Sequence, residues 1–471
     1  MPFLRILRSS VLMGGAQAVT ILTAFIRSKV IALSPMGAAG IGLMGVLTSF
    51  NGNVASIAGW GLPISGVRII SGAKECDRAA KAAAVRKLGR NLAWLGALAS
   101  ALLILPTCWA TFGSAKYGPE LAVASLSVPF MVCSGGWAAI LQGMGLLRPL
   151  AKSQIAGALG GVAVGVPLIF VFGTMGLAIS ILLASAIPAL ILWISLQRIR
   201  LPAVGADEAS IRTLLGLGAA LMAAGFFGQL STYAVRMIVI RSHGLDAAGY
   251  YQASNALAGA LPAFIFTAMG GDFFPMVSGA KDDLEAKKIT ERQIRAGILM
   301  ALPVLVSMIT MGNVALGLLY SNDFLPAHPL LKWMIWGVFL RVFTWPLGFW
   351  LLGRGSANSV ALSEGIANLV SALLPLALMP VMGLAGAAAA FFAANLFYAF
   401  LICYILHRKT RLMISAETAI SFLLAAFALG LSQWLAGIFE GFLVGLTISF
   451  VVTCACVLIY RSEIHQDSLE D

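Results

Sequence analysis

The chain has 471 residues, of which 60% are hydrophobic and only 11% charged, with a mean hydropathy of +0.93 and a net charge of +12. Such a balance excludes a soluble globular fold, which has too little polar surface here to cover its apolar content. The positive charge does not indicate nucleic acid, because the basic residues concentrate in alternate connections between apolar runs.

The apolar runs predict an all-α polytopic membrane protein of about 14 transmembrane helices, each near the length a hydrocarbon core requires. The first six lie near 8–33, 40–70, 88–112, 119–146, 151–172 and 176–198. The next six lie near 210–241, 249–276, 294–320, 328–353, 357–379 and 384–407, and two more near 414–436 and 442–461. The runs are long, continuous and without strand alternation, so helices rather than a barrel are expected. The first run follows Arg5 and Arg8 like a signal peptide. It continues through Arg27 and Lys29 without a clear cleavage site, and is read as a retained helix.

One set of alternate connections carries Lys74, Arg78, Lys81, Arg86, Lys87 and Arg90, and later Lys281, Lys287, Lys288 and Arg292. The opposite set holds little beyond Lys116, Arg241 and Lys332. This asymmetry predicts that both termini are cytoplasmic.

An internal repeat is visible. AFIRSKVIALSPMGAAGI from Ala24 aligns with YAVRMIVIRSHGLDAAGY from Tyr233, placing Arg27 on Arg236 and Ala38-Ala39-Gly40 on Ala247-Ala248-Gly249. LQGMGLLRPLAKSQIAG from Leu141 aligns with LLGRGSANSVALSEGIAN from Leu351. The spacing covers an even number of helices, so the two halves have the same topology. The expected organisation is an N-terminal lobe over 1–200 and a C-terminal lobe over 201–410, six helices each and pseudo-symmetric. A third region over 411–471 adds two further helices and a short cytoplasmic tail. A central site between the lobes is expected.

No catalytic constellation is present. The six cysteines form neither a disulfide framework nor a metal spacing, and the four histidines are scattered, so no metal or other cofactor is expected. The longest connection, near 71–88, is a basic loop without the acid pair or nucleotide-sugar site of a membrane glycan polymerase, ligase or glycosyltransferase. Gly40-Ile-Gly42-Leu-Met-Gly45 fits GxGxxG but lies within a membrane helix, where no strand precedes it. Gly157, Gly161 and Gly165, spaced by four, read as a close-packing helix face.

The chemically informative residues are charges inside apolar helices. A cation in mid-membrane costs about 2.5–3.5 kcal/mol on insertion scales, so it normally faces the interior of the bundle and has a function. Arg341 stands in the middle of the tenth helix; its structural alternative is pairing with a carboxylate such as Glu364 or Asp272. Arg27 and Arg236 hold equivalent places in the repeat, and snorkelling to the membrane surface is the competing role. Lys29 and Arg68 are further candidates, each also suited to anchoring. Asp272 and Glu364 are candidates for proton or ion coupling, against simple pairing with an arginine. Gln17, Asn51, Asn53, Gln142, Gln229, Asn255 and Asn368 are candidate cavity-lining groups for sugar hydroxyls, with interhelical hydrogen bonding as the alternative. Trp333, Trp336, Trp345 and Trp350 read as packing or interfacial belt rather than a sugar platform.

The stretches IRSKVIA, GAAGIGLMG, AGWGLPISGVR, LLYSNDF and GRGSANSVALSEG, in that order, resemble O-antigen and enterobacterial-common-antigen (lipid III) translocases. These are the Wzx-type flippases, in the polysaccharide transporter family of the multidrug/oligosaccharidyl-lipid/polysaccharide exporter superfamily. The resemblance covers roughly residues 1–410. It implies a two-lobed transporter of the bacterial inner membrane, and no enzyme. Its substrate would be undecaprenyl-pyrophosphate-linked oligosaccharide, moved from the cytoplasmic to the periplasmic leaflet by alternating access. Arginines suit the pyrophosphate because their planar fork meets two oxygens at once. The implied partners are the lipid-linked glycan, membrane lipids, and polysaccharide polymerase or chain-length proteins. The two extra C-terminal helices resemble the lipid II flippase, where such helices help bind the lipid tail. A cation-coupled drug antiporter of the same superfamily, or a lipid II flippase, is the alternative. Such antiporters commonly place an essential acid in the N-terminal lobe, where this chain has Arg27 and Lys29 instead.

Overall fold

Within a bilayer, backbone N–H and C=O groups find partners only inside helices or closed barrels. The computed structural model describes the backbone of residues 2–199, 205, 207–438 and 443–456, and side chains from Met13 onward except 220, 221, 223–225, 261–272, 275 and 357 among them. The described residues contain helices and no strand. In chain order these are α1 (Pro2–Leu33), α2 (Gly37–Ala58), α3 (Leu62–Ser71), α4 (Arg78–Phe112), α5 (Gly118–Ser125), α6 (Ser127–Gly143) and α7 (Leu147–Arg198). They are followed by α8 (Glu208–Ser278), α9 (Asp283–Leu319), α10 (His328–Gly353), α11 (Ala357–Met382), α12 (Ala385–Thr410) and α13 (Ala416–Ile438), with a last apolar helical stretch at Leu443–Cys456. Among the described residues 10 candidate spans are long and apolar enough to cross a membrane. Large apolar side chains lie exposed along α4 (Leu98, Leu102, Leu105, Trp109) and α13 (Ile420, Leu424, Phe427, Trp434), as on lipid-facing helices. The protein is an all-helical, multi-pass membrane protein.

Several expected boundaries shift for local reasons. The single helix expected over 40–70 is two, α2 and α3. Trp60 (φ 47°) and Gly61 (φ 61°) turn the chain, and Pro63, in the first turn of α3, has no N–H with which to continue the earlier helix. The helix expected over 119–146 divides at Leu126, whose N–H bonds three residues back to Val123. The runs on either side of residue 173 join through Gly173 (φ 55°, ψ −126°) alone. Those on either side of residue 244 join through Gly244 (φ 84°, ψ −178°). Both conformations belong essentially to glycine.

The turn at Gly173 folds α7 into an antiparallel hairpin, and the glycine stripe is its seam. A Cβ on Gly157 would strike the Pro188 ring, one on Gly161 would meet Ala184 and one on Gly165 would meet Ser180. The close-packing reading of the stripe therefore holds. All six cysteines are free.

The chain divides into two compact units, Met1–Gly249 and Tyr250–Asp471. In the first, α6 packs against α3, α4 and α7, and α1 runs along α7. The repeat-equivalent stretches meet here: backbone around Leu245 fills the space a side chain on Gly42 would need, and Ala38 does the same at Gly249. In the second, α10 packs against α9 and α12, α11 against α12, and α13 against α9. The start of α13 is pinned by buried Glu291 of α9, whose Oε1 accepts the Ser415 N–H at 2.6 Å. Arg295, one turn on, pairs with Glu417 at 2.7 Å. Further along, the Trp336 indole donates to Gln433 at 2.8 Å, and Phe339 stacks on Phe422 at 4.8 Å.

Candidate substrate site

Polar side chains from three neighbouring helices of the second unit converge on one cleft, whose empty space, including its open side, is about 790 Å³. Arg341, Thr344, Trp345 and Gly348 come from one stripe of α10, at intervals of three and four residues, so one face of the helix presents them all. Glu364, Asn368 and Ser371 form the matching stripe of α11, and Asn395 and Tyr398 that of α12. Glu364 Oε1 accepts the Tyr398 hydroxyl at 2.8 Å, which fixes the carboxylate across the α11–α12 pair. Asn395 Nδ2 donates to its own helix at Phe391 O, 2.8 Å away. Arg341 is exposed to the cleft and takes part in no ion pair of the described residues. Trp345 is half-buried, stacked on Phe273 at 6.0 Å between ring centroids and packed at a tilt against Phe349 at 4.5 Å. The lining thus combines a cation, a carboxylate, two amides, hydroxyls and an aromatic face in a preformed hollow.

Of the residues singled out in the sequence, Arg341, Glu364 and Asn368 meet in this cleft. Asn255 belongs to the same unit and is half-buried, without a place in the lining. Asp272 falls outside the residues whose side chains the structure describes.

The remaining candidates belong to the first unit. Arg236 is buried at 8% exposure and donates from Nη1 to Gly45 O at 2.9 Å, so the last glycine of the GxGxxG string serves as its seat. Arg27 on α1 is half-buried, and its Nε is enclosed with no hydrogen-bond partner among the described residues. Lys29 is half-buried, and Arg68 is exposed in the last turn of α3. Asn51, at 1% exposure, donates from Nδ2 to Ala124 O and to Ser127 Oγ, both at 2.9 Å, tying α2 to the α5–α6 junction. Gln142 and Gln229 are exposed, and the Gln229 carbonyl accepts from Asn53 at 3.4 Å.

The sequence reading missed Tyr398, Asn395, Thr344 and Ser371 and assigned Trp345 to packing. The signal that finds them is the stripe: polar residues three, four and seven apart on helices otherwise apolar. It also left Arg241 in a connection. There Arg241 donates from Nε to Ala110 O at 2.7 Å and from Nη2 to Trp109 O, capping the carbonyl end of α4 with a cation.

Residues 90–329 match the family described as "Polysaccharide biosynthesis protein". The chain belongs to the polysaccharide biosynthesis protein family. No curated protein matches it. Among solved structures it is similar to "Lipid II flippase MurJ, inward closed conformation", with a TM-score of 0.76 at 13% identity over 97% of this chain and 99% of that one. It is also similar to an inward-facing multidrug resistance MATE family transporter of the MOP superfamily, with a TM-score of 0.68 at 13% identity over 91% of this chain and 99% of that one. An outward-facing MATE transporter aligns at a TM-score of 0.58 and 14% identity, over 91% and 96% of the two chains. At these identities the likeness is one of fold, and the fold of this polysaccharide biosynthesis protein is that of MurJ and the MATE transporters.

Proposed function

We propose that this protein is a flippase that carries undecaprenyl-pyrophosphate-linked oligosaccharide, of the O-antigen, common-antigen or exopolysaccharide kind, from the cytoplasmic to the periplasmic leaflet of a bacterial inner membrane. It makes or breaks no bond. Its task is to lower the barrier to taking a charged, sugar-bearing headgroup through hydrocarbon, while the polyprenyl tail stays in lipid. The family supports a role in polysaccharide assembly, and the fold is shared with a protein named as a lipid II flippase. The observation that carries the reading is the cleft of the second unit, where Arg341 stands in mid-helix among hydroxyls and amides. Gathering a cation, a carboxylate and amides within membrane helices is costly unless a polar substrate uses them.

In this proposal Arg341, Arg27, Arg236, Lys29 and Arg68 supply positive charge to the pyrophosphate at successive stages of alternating access. Asp272 and Glu364 are the acids available for ion coupling. Both termini are cytoplasmic in this proposal, which the charge asymmetry of the connections supports. A drug antiporter is the second reading, favoured by the MATE likeness; the family match and the cationic residues favour an anionic lipid.

The test is complementation. In a strain lacking its oligosaccharide flippase, wild-type protein restores surface glycan and Arg341→Ala, at equal membrane abundance, does not. Full restoration by Arg341→Ala removes this residue from the mechanism. Failure of the wild type across O-antigen, common-antigen and exopolysaccharide hosts, together with drug efflux, would replace the proposal by the antiporter.

A further inference from the structure

We infer that a groove between α10 and α13 binds an anionic glycerophospholipid, with Lys332 meeting its phosphate and an acyl chain lying along α13. The groove shares no lining residue with the polar cleft described above, and the inference holds whatever substrate that cleft takes.

The empty space of the groove, including its open side, is about 900 Å³. Lys332 and Trp336 line it from α10, one helical turn apart and so on one face. Gly430, Gln433, Trp434 and Gly437 line it from α13. The Trp336 indole donates to Gln433 Oε1 at 2.8 Å and ties the two walls together. A Cβ on Gly430 would lie 3.7 Å from the Trp336 ring, in ordinary contact, so the indole closes the groove there. A Cβ on Gly437 would meet nothing within 4 Å, so the groove is open there. Trp434 is 60% exposed, as on a surface facing lipid.

Depth, charge and wall chemistry together select the occupant. With 26 residues, α10 is about 39 Å long at 1.5 Å per residue, against about 30 Å of hydrocarbon. Lys332 stands about 6 Å from the start of the helix, at the boundary of hydrocarbon and headgroups. Helical side chains lean toward the N-terminus, here toward the membrane surface, so the ammonium reaches headgroup level while its stem stays in the groove. Tryptophans such as Trp336 and Trp434 suit the same depth. No carboxylate lines the groove, and Lys332 takes part in no ion pair of the described residues. One ammonium matches the single negative charge of a phosphodiester, whereas a choline headgroup brings its own cation. A pyrophosphate carries more charge than one lysine balances, which separates this occupant from the transported lipid of the flippase proposal. The walls are aromatic or glycine and bonded to each other, so an acyl chain needs only dispersion contacts with them.

The experiment is tryptophan quenching by brominated lipids, on the full chain reconstituted in phosphatidylcholine bilayers. The chain has 10 tryptophans, so each measurement is paired with Trp434→Phe, and the difference is the signal of Trp434 in this groove. Brominated phosphatidylglycerol is expected to quench that signal at about fivefold lower mole fraction than brominated phosphatidylcholine, the scale of one lysine beside an anionic lipid. Lys332→Ala should abolish the preference and Lys332→Arg should keep it; Lys332→Gln replaces the alanine variant if that does not purify. Gly437→Leu fills the open part of the groove without changing charge, and should also abolish the preference. The inference is overturned if wild type shows no preference or if the preference survives Lys332→Ala. Survival in Gly437→Leu overturns it too, since charge attraction alone would then explain the signal. Displacement of brominated phosphatidylglycerol by a lower mole fraction of undecaprenyl phosphate would assign the groove to the polyprenyl lipid instead.

Discussion

The seam of the α7 hairpin permits a graded prediction, because each glycine faces a neighbour of different stiffness. A methyl group on Gly157 would lie within 2.9 Å of Pro188 Cδ and 3.0 Å of its Cβ. That ring has no rotamer to escape into, so the two halves of the hairpin must separate. On Gly165 it would lie 2.8 Å from Ser180 Cβ, an atom fixed to the backbone. On Gly161 it would lie 3.3 Å from Ala184 Cβ, a gap that a shift of a few tenths of an ångström restores. Overpacking costs about 1–3 kcal/mol, and exchanging glycine for alanine within a helix returns roughly 0.5–1 kcal/mol of helix propensity. Gly157→Ala and Gly165→Ala are therefore expected to destabilise by about 1–2 kcal/mol net, and Gly161→Ala to be near neutral. The check is thermal unfolding of purified protein in lipid nanodiscs, followed by tryptophan fluorescence. Equal effects at all three positions, or a larger loss at Gly161 than at Gly157, would refute the seam.

Two more predictions concern the ends of helices. Glu291→Ala removes a buried carboxylate from the Ser415 N–H. It should cost about 1.5–3 kcal/mol, as for a hydrogen bond to a charged group, and speed trypsin cleavage after Arg411; an unchanged digestion rate speaks against this pin. Asp207 starts α8, accepting from the Ser210 hydroxyl at 2.7 Å and from the N–H groups of Ala209 and Ser210 at 3.1 Å. The Ser210 hydroxyl first, then those N–H groups, hold its carboxyl below the usual carboxylate range. A depressed folded value means that the stabilisation is complete above the unfolded value, near about 3.9, and is lost as pH falls through the lower folded one. Hydrogen exchange at Ala209–Ile211 should accelerate in that acidic window in wild type and show no such pH step in Asp207→Asn.

What the sequence made legible depended on whether a residue's signal was its own or its partner's. The glycine stripe was readable because a spacing of four is a property of one helix. Arg341 and Glu364 were readable because a charge in an apolar helix is conspicuous alone. The break between α2 and α3 was missed, although Pro63 marked it, because apolar composition ran on unbroken through Trp60 and Gly61. Tyr398, Asn395 and Ser371 were missed because each is unremarkable until the stripes of α10, α11 and α12 are laid side by side. Trp345 has the composition of a packing residue and the position of a lining one.

A polar side chain in this protein meets one of two fates, and residue type does not decide which. Asn51 is bonded to Ala124 and Ser127, Arg236 to Gly45, Arg241 to the end of α4, and Thr111 to the Tyr233 hydroxyl at 2.6 Å. Each of these places a hydrogen bond on a neighbouring helix, which is how membrane helices hold together where apolar burial gives little net drive. The lining of the second unit's cleft behaves otherwise. There the Glu364–Tyr398 bond crosses between α11 and α12, while Asn395 and Thr344 bond back to their own helices. Asn395 and Thr344 thus bring polar groups to the hollow without spending these bonds on a neighbouring helix. That concentration has a physical cost in a bilayer, and under the flippase proposal a polar headgroup offsets it.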